Sequence, residues 1–314
     1  MRTAKSGRWL ALFAVSLAIA GCGGGTTVAD GGGGGIGGTG VVAARGPITG
    51  FGSIWVNGIR FDVSGARVTV EGATASAEDL NLGMVVAVSG MGAADGSVVA
   101  DLVEYSDSLE GPIDSIAGDE FRVLGQTVLV TGGTEVRGGP LEPGNVIEVS
   151  GLTDAAGTIH ATYVEKKSDS AGPDDEIELK GIATNVKPEQ GTFEINGLTV
   201  SYAGTTVSLA GEFVMVRGDQ GVVGGILVAK EVELGGGGEL PQDDGVRAEL
   251  EGFVTSVDGA ALFTLDGTPV DALGAEFENG TLDDLVLNAR VEVEGTFQGG
   301  VLLAEKVEFE GDED

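Results

Sequence analysis

The chain has one imidazole and one thiol with which to do chemistry, His160 and Cys22. A Ser/His/Asp triad would have to use His160. That residue stands in Thr158-Ile159-His160-Ala161-Thr162, an alternating run that reads as a strand with the ring on its surface. One Cys and one His cannot build a Cys/His zinc centre, and a single Cys excludes an internal disulfide framework. Carboxylates are abundant, with 49 Asp and Glu. Two carboxylates about 5–10 Å apart suffice for glycoside hydrolysis, but a chain this acidic makes such pairs by chance, and no aromatic-lined sugar cleft is visible. Ca²⁺ loops place Asp and Asn at alternate positions around a Gly. Asp95-Gly96, Asp154 to Gly157 and Asp243-Asp244-Gly245 lack that spacing. The most regularly placed acids are Glu104, Glu165, Glu233 and Glu308, each closing an Ala-x-x-Val-Glu segment. Their recurrence suits a solvated position beside a core Val, since an enzyme seldom needs its general acid in four copies. The sequence therefore points to no catalytic residue, no metal ligand and no cofactor.

Cys22 has a different setting. Arg2, Lys5 and Arg8 form a positive amino-terminal region, and Trp9 to Ala20 is an apolar run of 12 residues. A helix needs about 20 apolar residues to span a bilayer, so this run suits a secretory signal. It ends in Ile19-Ala20-Gly21-Cys22, which resembles a bacterial lipobox. The resemblance implies cleavage before Cys22 and lipid attachment to its thiol. Gly23 follows the Cys rather than Asp, which in a diderm cell implies sorting to the outer membrane. From Gly23 to Gly40 there are 11 glycines, the composition of a flexible tether. A phosphate-cradling loop would need a strand before these glycines and a helix after them, and neither is present.

Charge removes further functions. The chain has 17 Lys and Arg against 49 Asp and Glu, a net charge of -32. Loss of Arg2, Lys5 and Arg8 with the signal makes the mature value -35. Such a surface repels phosphate backbones and anionic lipid alike, so no nucleic-acid partner is expected and membrane association falls to the lipid on Cys22.

Beyond the tether one unit repeats four times. Each opens with a short strand: Ala44-Arg45-Gly46-Pro47-Ile48, Leu109-Glu110-Gly111-Pro112-Ile113, Leu179-Lys180-Gly181-Ile182-Ala183 and Leu250-Glu251-Gly252-Phe253-Val254. A hairpin follows, turning on Asn57-Gly58, Leu124-Gly125, Asn196-Gly197 and Asp266-Gly267. Asn-Gly and Asp-Gly supply the positive φ angles of a type I′ turn. A seven-step frame comes next: Gly83 to Gly90, Gly144 to Gly151, Gly211 to Gly218 and Asn288 to Gly295. Asn tolerates left-handed backbone best among non-Gly residues. Its presence at 288 says that Gly83, Gly144, Gly211 and Asn288 are turn positions chosen for positive φ. Within the frame, Val86 and Val88, Ile147 and Val149, Val214 and Val216, and Val291 and Val293 alternate on what must be the core face. Between hairpin and frame, Leu-rich acidic stretches read as a helical turn or tight loop plugging one end of a barrel.

The paired Gly-x-Val-[Val/Ile]-x-Val-x-Gly and Ala-x-x-Val-Glu motifs, repeated behind a lipobox, resemble a bacterial repeat catalogued as domain of unknown function 5666. The resemblance covers nearly all of residues 44–309. It implies tandem β-rich modules in envelope lipoproteins and carries no activity.

The expected fold is all-β: four tandem OB-like barrels of about 60 residues, near the lower limit for an independent core. The expected organisation is a signal peptide at 1–21, lipidated Cys and tether at 22–43, modules at 44–108, 109–167, 179–234 and 249–309, linkers at 168–178 and 235–248, and an acidic tail at 310–314. The linkers read as polar spacers that separate domains, and modules 1 and 2, joined by almost nothing, are expected to pack as a pair. The expected function is non-enzymatic binding or scaffolding in the cell envelope, with an envelope protein or a glycan as partner. The alternatives are weak divalent-cation or oligosaccharide binding and, behind them, a carboxylate-based hydrolase.

Overall fold

The computed structural model describes residues 40–93, 96–172, 177–203, 209–218, 221–235, 238 and 240–311. The expected signal peptide, Cys22, nearly all of the expected tether and the end of the acidic tail lie outside the described residues.

Module 1 contains β1 (Val41–Gly50), β2 (Ile54–Val56), β3 (Ile59–Asp62), β4 (Arg67–Val70), β5 (Ala73–Ala75), β6 (Val85–Gly92) and β7 (Val98–Tyr105). The barrel closes in the order β1-β2-β3-β7-β6 and back to β1. Only the β3–β7 contact is parallel within that ring. β4 carries the third strand onward beside β7, again parallel. Module 2 repeats this order with β8 (Leu109–Ala117), β9 (Glu120–Val123), β10 (Gln126–Leu129), β11 (Glu135–Arg137), β12 (Val146–Thr153) and β13 (Ile159–Ser168). Module 3 comprises β14 (Ile177–Ile182), β15 (Thr184–Lys187), β16 (Thr192–Ile195), β17 (Leu198–Ser201), β18 (Phe213–Gly218), β19 (Ile226–Val228) and β20 (Glu231–Leu234). Here both the first and the last barrel strand break in two. Module 4 has β21 (Arg247–Val257), β22 (Leu262–Leu265), β23 (Thr268–Asp271), β24 (Glu276–Glu278), β25 (Arg290–Gln298) and β26 (Val301–Phe309). The chain is all-β, built of small OB-like barrels in repeated modules. Single 3-10 turns at Ala77–Asp79 and Leu282–Asp284 sit before the frames of modules 1 and 4; the same place in module 2 is a plain turn.

The local reasons lie in the repeat. All four hairpin turns take positive φ at both central residues, including Leu124 at 51° and Gly125 at 74°. Gly83, Gly144, Gly211 and Asn288 have φ of 81°, 94°, 82° and 68°. The far end of the frame is constrained differently. In modules 1, 2 and 4 the register slips at Gly90, Gly151 and Gly295, a β-bulge against the closing strand. A side chain at Gly151 would drive Cβ into the carbonyl of His160, and at Gly90 and Gly295 into those of Val99 and Leu303. The eight aliphatic residues between frame ends are at most 1% exposed.

The barrels are not beads on spacers. The described residues all belong to one compact unit. Two junctions are made by main chain. β8 pairs antiparallel with β14, setting Leu109 opposite Leu179, and β1 pairs parallel with β21 from Val42 to Arg45. Modules 2 and 3 share one continuous apolar core. Tyr163 of module 2 packs into the core of module 1, and Ala43 of module 1 into that of module 4. Modules 1 and 2 do touch, through side chains rather than strands. The physical reason is edge chemistry: a strand that opens a barrel exposes unpaired N–H and C=O groups, and a neighbouring module's first strand satisfies them.

Gly144→Val is expected to lower stability by about 1–3 kcal/mol, because a β-branched residue is forced to positive φ. Gly151→Ala is expected to do at least as much damage through the bulge carbonyl. Urea unfolding of the whole chain checks both, and wild-type midpoints in both variants would refute the assignment.

Candidate functional site

The repeat places a carboxylate at three motif positions in module 2: Glu110 in Leu-Glu-Gly, Glu148 in the frame and Glu165 in Ala-x-x-Val-Glu. The register sets them side by side. Glu110 lies opposite Glu148, and Glu148 opposite Glu165. The β8–β14 junction extends the row, with Glu110 opposite Glu178 and Glu178 opposite Arg217. Module 4 builds the same row from Glu251, Glu292 and Glu308, ending on Glu278. Like charges directly opposite on neighbouring strands repel, so each row needs counter-charge. Modules 1 and 3 break the pattern: the first position is Arg45 or Lys180 and the second is Ala87 or Met215.

The expectation that Glu104, Glu165, Glu233 and Glu308 are simply solvated therefore needs correction. Glu233 is exposed, but the other three are partly buried. Glu165 accepts a hydrogen bond from Tyr163 Oη at 3.1 Å, and Glu308 holds Lys306 Nζ at 2.7 Å. Glu104 borders a cavity of about 30 Å³ where all four modules meet. Across it Arg45 Nη1 of module 1 pairs with Asp266 Oδ2 of module 4 at 2.5 Å.

Module 1 roofs the module 2 row. Tyr105 Oη donates to Glu148 Oε1 at 2.5 Å, and Lys167 Nζ to Glu148 Oε2 at 2.7 Å. The joint between the modules, Ser106-Asp107-Ser108, runs past Glu178. Lys180 Nζ donates to Ser106 Oγ at 2.6 Å and to the Asp107 carbonyl oxygen, and lies 3.1 Å from Glu178 Oε1. Arg217 Nε donates to Glu178 Oε2 at 2.7 Å. Glu71 occupies a tight β4–β5 turn at φ 49° and accepts from Asp107 N–H at 2.7 Å. Burial pushes the Asp107 carboxyl well above the usual carboxylate range, with Glu71 and Glu178 adding repulsion. Burial likewise raises Glu71. Two sets of carboxylates have ligand oxygens within 4.8 Å of one another: Glu71, Asp107 and Glu178, and Asp107, Glu110 and Glu148.

The module 4 row meets modules 1 and 2 at a cleft of about 430 Å³, lined by Glu251, Arg290, Glu292 and Glu310 among others. Arg290 holds Glu251 with Nη2 at 2.6 Å. Glu249 is fully buried between β1 and β25, and neither of its carboxylate oxygens has a hydrogen-bond partner. Burial first, and then its acidic neighbours, push Glu249 up to about 11 and Glu292 to about 7.

His160 lies in a groove of about 270 Å³ between modules 2 and 4. Its ring centroid is 4.3 Å from that of Phe253, and Nε2 is 3.4 Å from Asp154 Oδ2. The ring is thus half-buried against another module rather than free on a strand surface. Two of the four turn positions also make junctions. Thr162 Oγ1 donates to the Gly83 carbonyl at 2.5 Å, and Asn288 Oδ1 accepts from Ala155 N–H at 2.8 Å.

A family model described as Domain of unknown function (DUF5666) matches residues 39–104, 110–165 and 251–308, more than half of the chain. The chain belongs to this family. The three matched segments are modules 1, 2 and 4. Module 3, with its two broken strands, falls outside them. Among curated proteins, no match to the chain is found.

Sequence reasoning missed Asp107, Glu71 and the glutamate rows. The rows had a signal: three motif positions, each on a different strand of a small barrel, all acidic in modules 2 and 4. Asp107 had none, being one acid among many in a short joint.

The Glu249–Glu292 pair makes stability fall with rising pH. Its folded-state pKa values lie above the unfolded value near 4.5, so the contribution is complete below about pH 4.5. It is lost as pH rises through about 7 for Glu292 and on towards about 11 for Glu249. Glu249→Gln removes the titration of the buried carboxyl at nearly the same volume. Urea midpoints are expected to fall less between pH 5 and 9 in that variant than in wild type, and parallel curves would contradict the raised Glu249 carboxyl.

Proposed function

We propose that this chain is an exported lipoprotein of the bacterial cell envelope, anchored through Cys22 and acting as a rigid binding or scaffolding block without catalysis. The observation that carries the reading is how the junction charges are used. Arg45 of module 1 holds Asp266 of module 4 and Arg217 of module 3 stands 3.8 Å from Glu71 of module 1, while Lys180, Lys167 and Arg290 hold carboxylates of their own modules beside the junctions. The groups best placed for chemistry thus fasten barrels to each other. The anchor rests on the lipobox and the signal before it, with Gly23 directing the protein to the outer membrane of a diderm cell. Among the described residues no helix is long and apolar enough to cross a membrane, which leaves the lipid on Cys22 as the attachment this reading relies on.

The partner is an envelope protein or a glycan. A glycan has one specific observation in its favour. Phe51 and Trp55 stand 49% and 40% exposed at the β1–β2 hairpin of module 1, the loop with which OB-like barrels take oligosaccharides.

In a bacterial host fed labelled palmitate, the wild-type chain is expected to carry label and to sediment with membranes. Cys22→Ser is expected to lose the label and leave the membrane fraction. Label retained on that variant would overturn the anchor.

A further inference from the structure

The joint between modules 1 and 2 gathers carboxylates in a small space. The two carboxylate sets share Asp107 and together comprise Glu71, Asp107, Glu110, Glu148 and Glu178. Lys180, Arg217 and Lys167 lie among them, and Arg217 Nη2 also stands 3.8 Å from Glu71 Oε2. Asp107 is 2% exposed, and its Oδ1 accepts no hydrogen bond. That oxygen faces the space it shares with Glu178 Oε1, since Lys180 Nζ stands 3.9 Å from the one and 3.1 Å from the other.

We propose that Glu71, Asp107 and Glu178 form a divalent-cation site that locks module 1 onto the fused pair of modules 2 and 3. The donors are all carboxylate oxygens, which select hard cations such as Ca²⁺ over Zn²⁺. Oxygens within 4.8 Å of one another match the spacing of ligands that each sit about 2.3–2.6 Å from a common Ca²⁺. The remaining coordination falls to water, for which the adjoining polar cavity of about 30 Å³, bordered by Ser106 and Asp107, has room. Lys180 stays at the Asp107–Glu178 edge, so the ion enters from the Glu71 side and binds against a resident positive charge. That competition puts the affinity in the range of extracellular Ca²⁺ modules, about 10⁻⁴–10⁻³ M. The three ligands come from the β4–β5 turn, the joint and the first strand of module 3, so binding couples three modules at once. The Ca²⁺-loop spacing that the sequence lacks is irrelevant to such a site, because its ligands are remote in the chain.

The test uses the full chain, stripped with a chelator and kept at constant ionic strength. Calorimetric titration with CaCl₂ is expected to show one saturable site, and the thermal midpoint is expected to rise with Ca²⁺. Asp107→Asn and Glu71→Gln are expected to weaken binding about tenfold or more and to abolish the rise. Asp283→Asn, an exposed acid elsewhere, is expected to leave both intact. Terbium gives a readout that needs no variant: Tyr105, bonded to Glu148 within the cluster, should sensitise its emission, and Ca²⁺ should quench it. Absence of saturable binding, a response unchanged in Asp107→Asn, or unsensitised terbium in wild type would each overturn the site. If Asp107→Asn fails to fold, Glu71→Gln and the wild-type terbium signal decide.

Discussion

The pairing of Leu109 with Leu179 across β8 and β14 commits Glu110 and Glu178 to face each other at a junction with little water. Coulomb repulsion between like charges grows as the surroundings become less polar, so the rest of the junction follows from having to offset it. Lys180 and Arg217 converge on Glu178, while Lys167 and Tyr105 converge on Glu148. Each counter-charge comes from a different strand, and Tyr105 from a different module. The charge pattern thereby fixes where module 1 can sit. A buried charge pair adds less stability than its Coulomb energy suggests, but losing one partner leaves the other stranded, which makes the arrangement specific.

Size explains why the modules fuse at all. A unit near 60 residues buries too little of its own surface for comfortable stability. Each barrel here borrows. Modules 2 and 3 pool their apolar residues into one core, Tyr163 fills module 1, and Val85, Leu152 and Phe253 make a small apolar contact among modules 1, 2 and 4. The strand junctions also remove exposed sheet edges, which would otherwise template aggregation.

Divergence among the four copies is organised around these junctions. Modules 2 and 4 keep glutamates at all three motif positions, whereas modules 1 and 3 place Arg45 and Lys180 at the first. Both basic residues serve junctions: Lys180 reaches Ser106 and the Asp107 carbonyl in the joint, and Arg45 reaches Asp266 of module 4. Module 3, which the family model does not match, is also the module whose opening and closing strands are broken, and it supplies both Lys180 and Arg217.

The sequence by itself determined the fold class, the repeat and the turns. Those properties are local. Asn57-Gly58 and Asp266-Gly267 select a left-handed turn within two residues, Asn288 declares positive φ by being the residue that tolerates it, and Val291 with Val293 declares a core face by period two. The proposed lipobox at Cys22 likewise rests on neighbouring residues alone. Tertiary structure alone decided which barrel edges pair, which acids face one another and where their counter-charges come from. A strand edge carries the same N–H and C=O groups whatever its sequence, so edge pairing is chosen by the global packing of cores. Glu110 looks like any solvent-facing strand residue until Glu178 is brought opposite it, and Asp107 looks like any acid in a short linker until three modules close around it. Charge interactions act through space and are felt according to burial, and neither distance nor burial can be read from position along the chain.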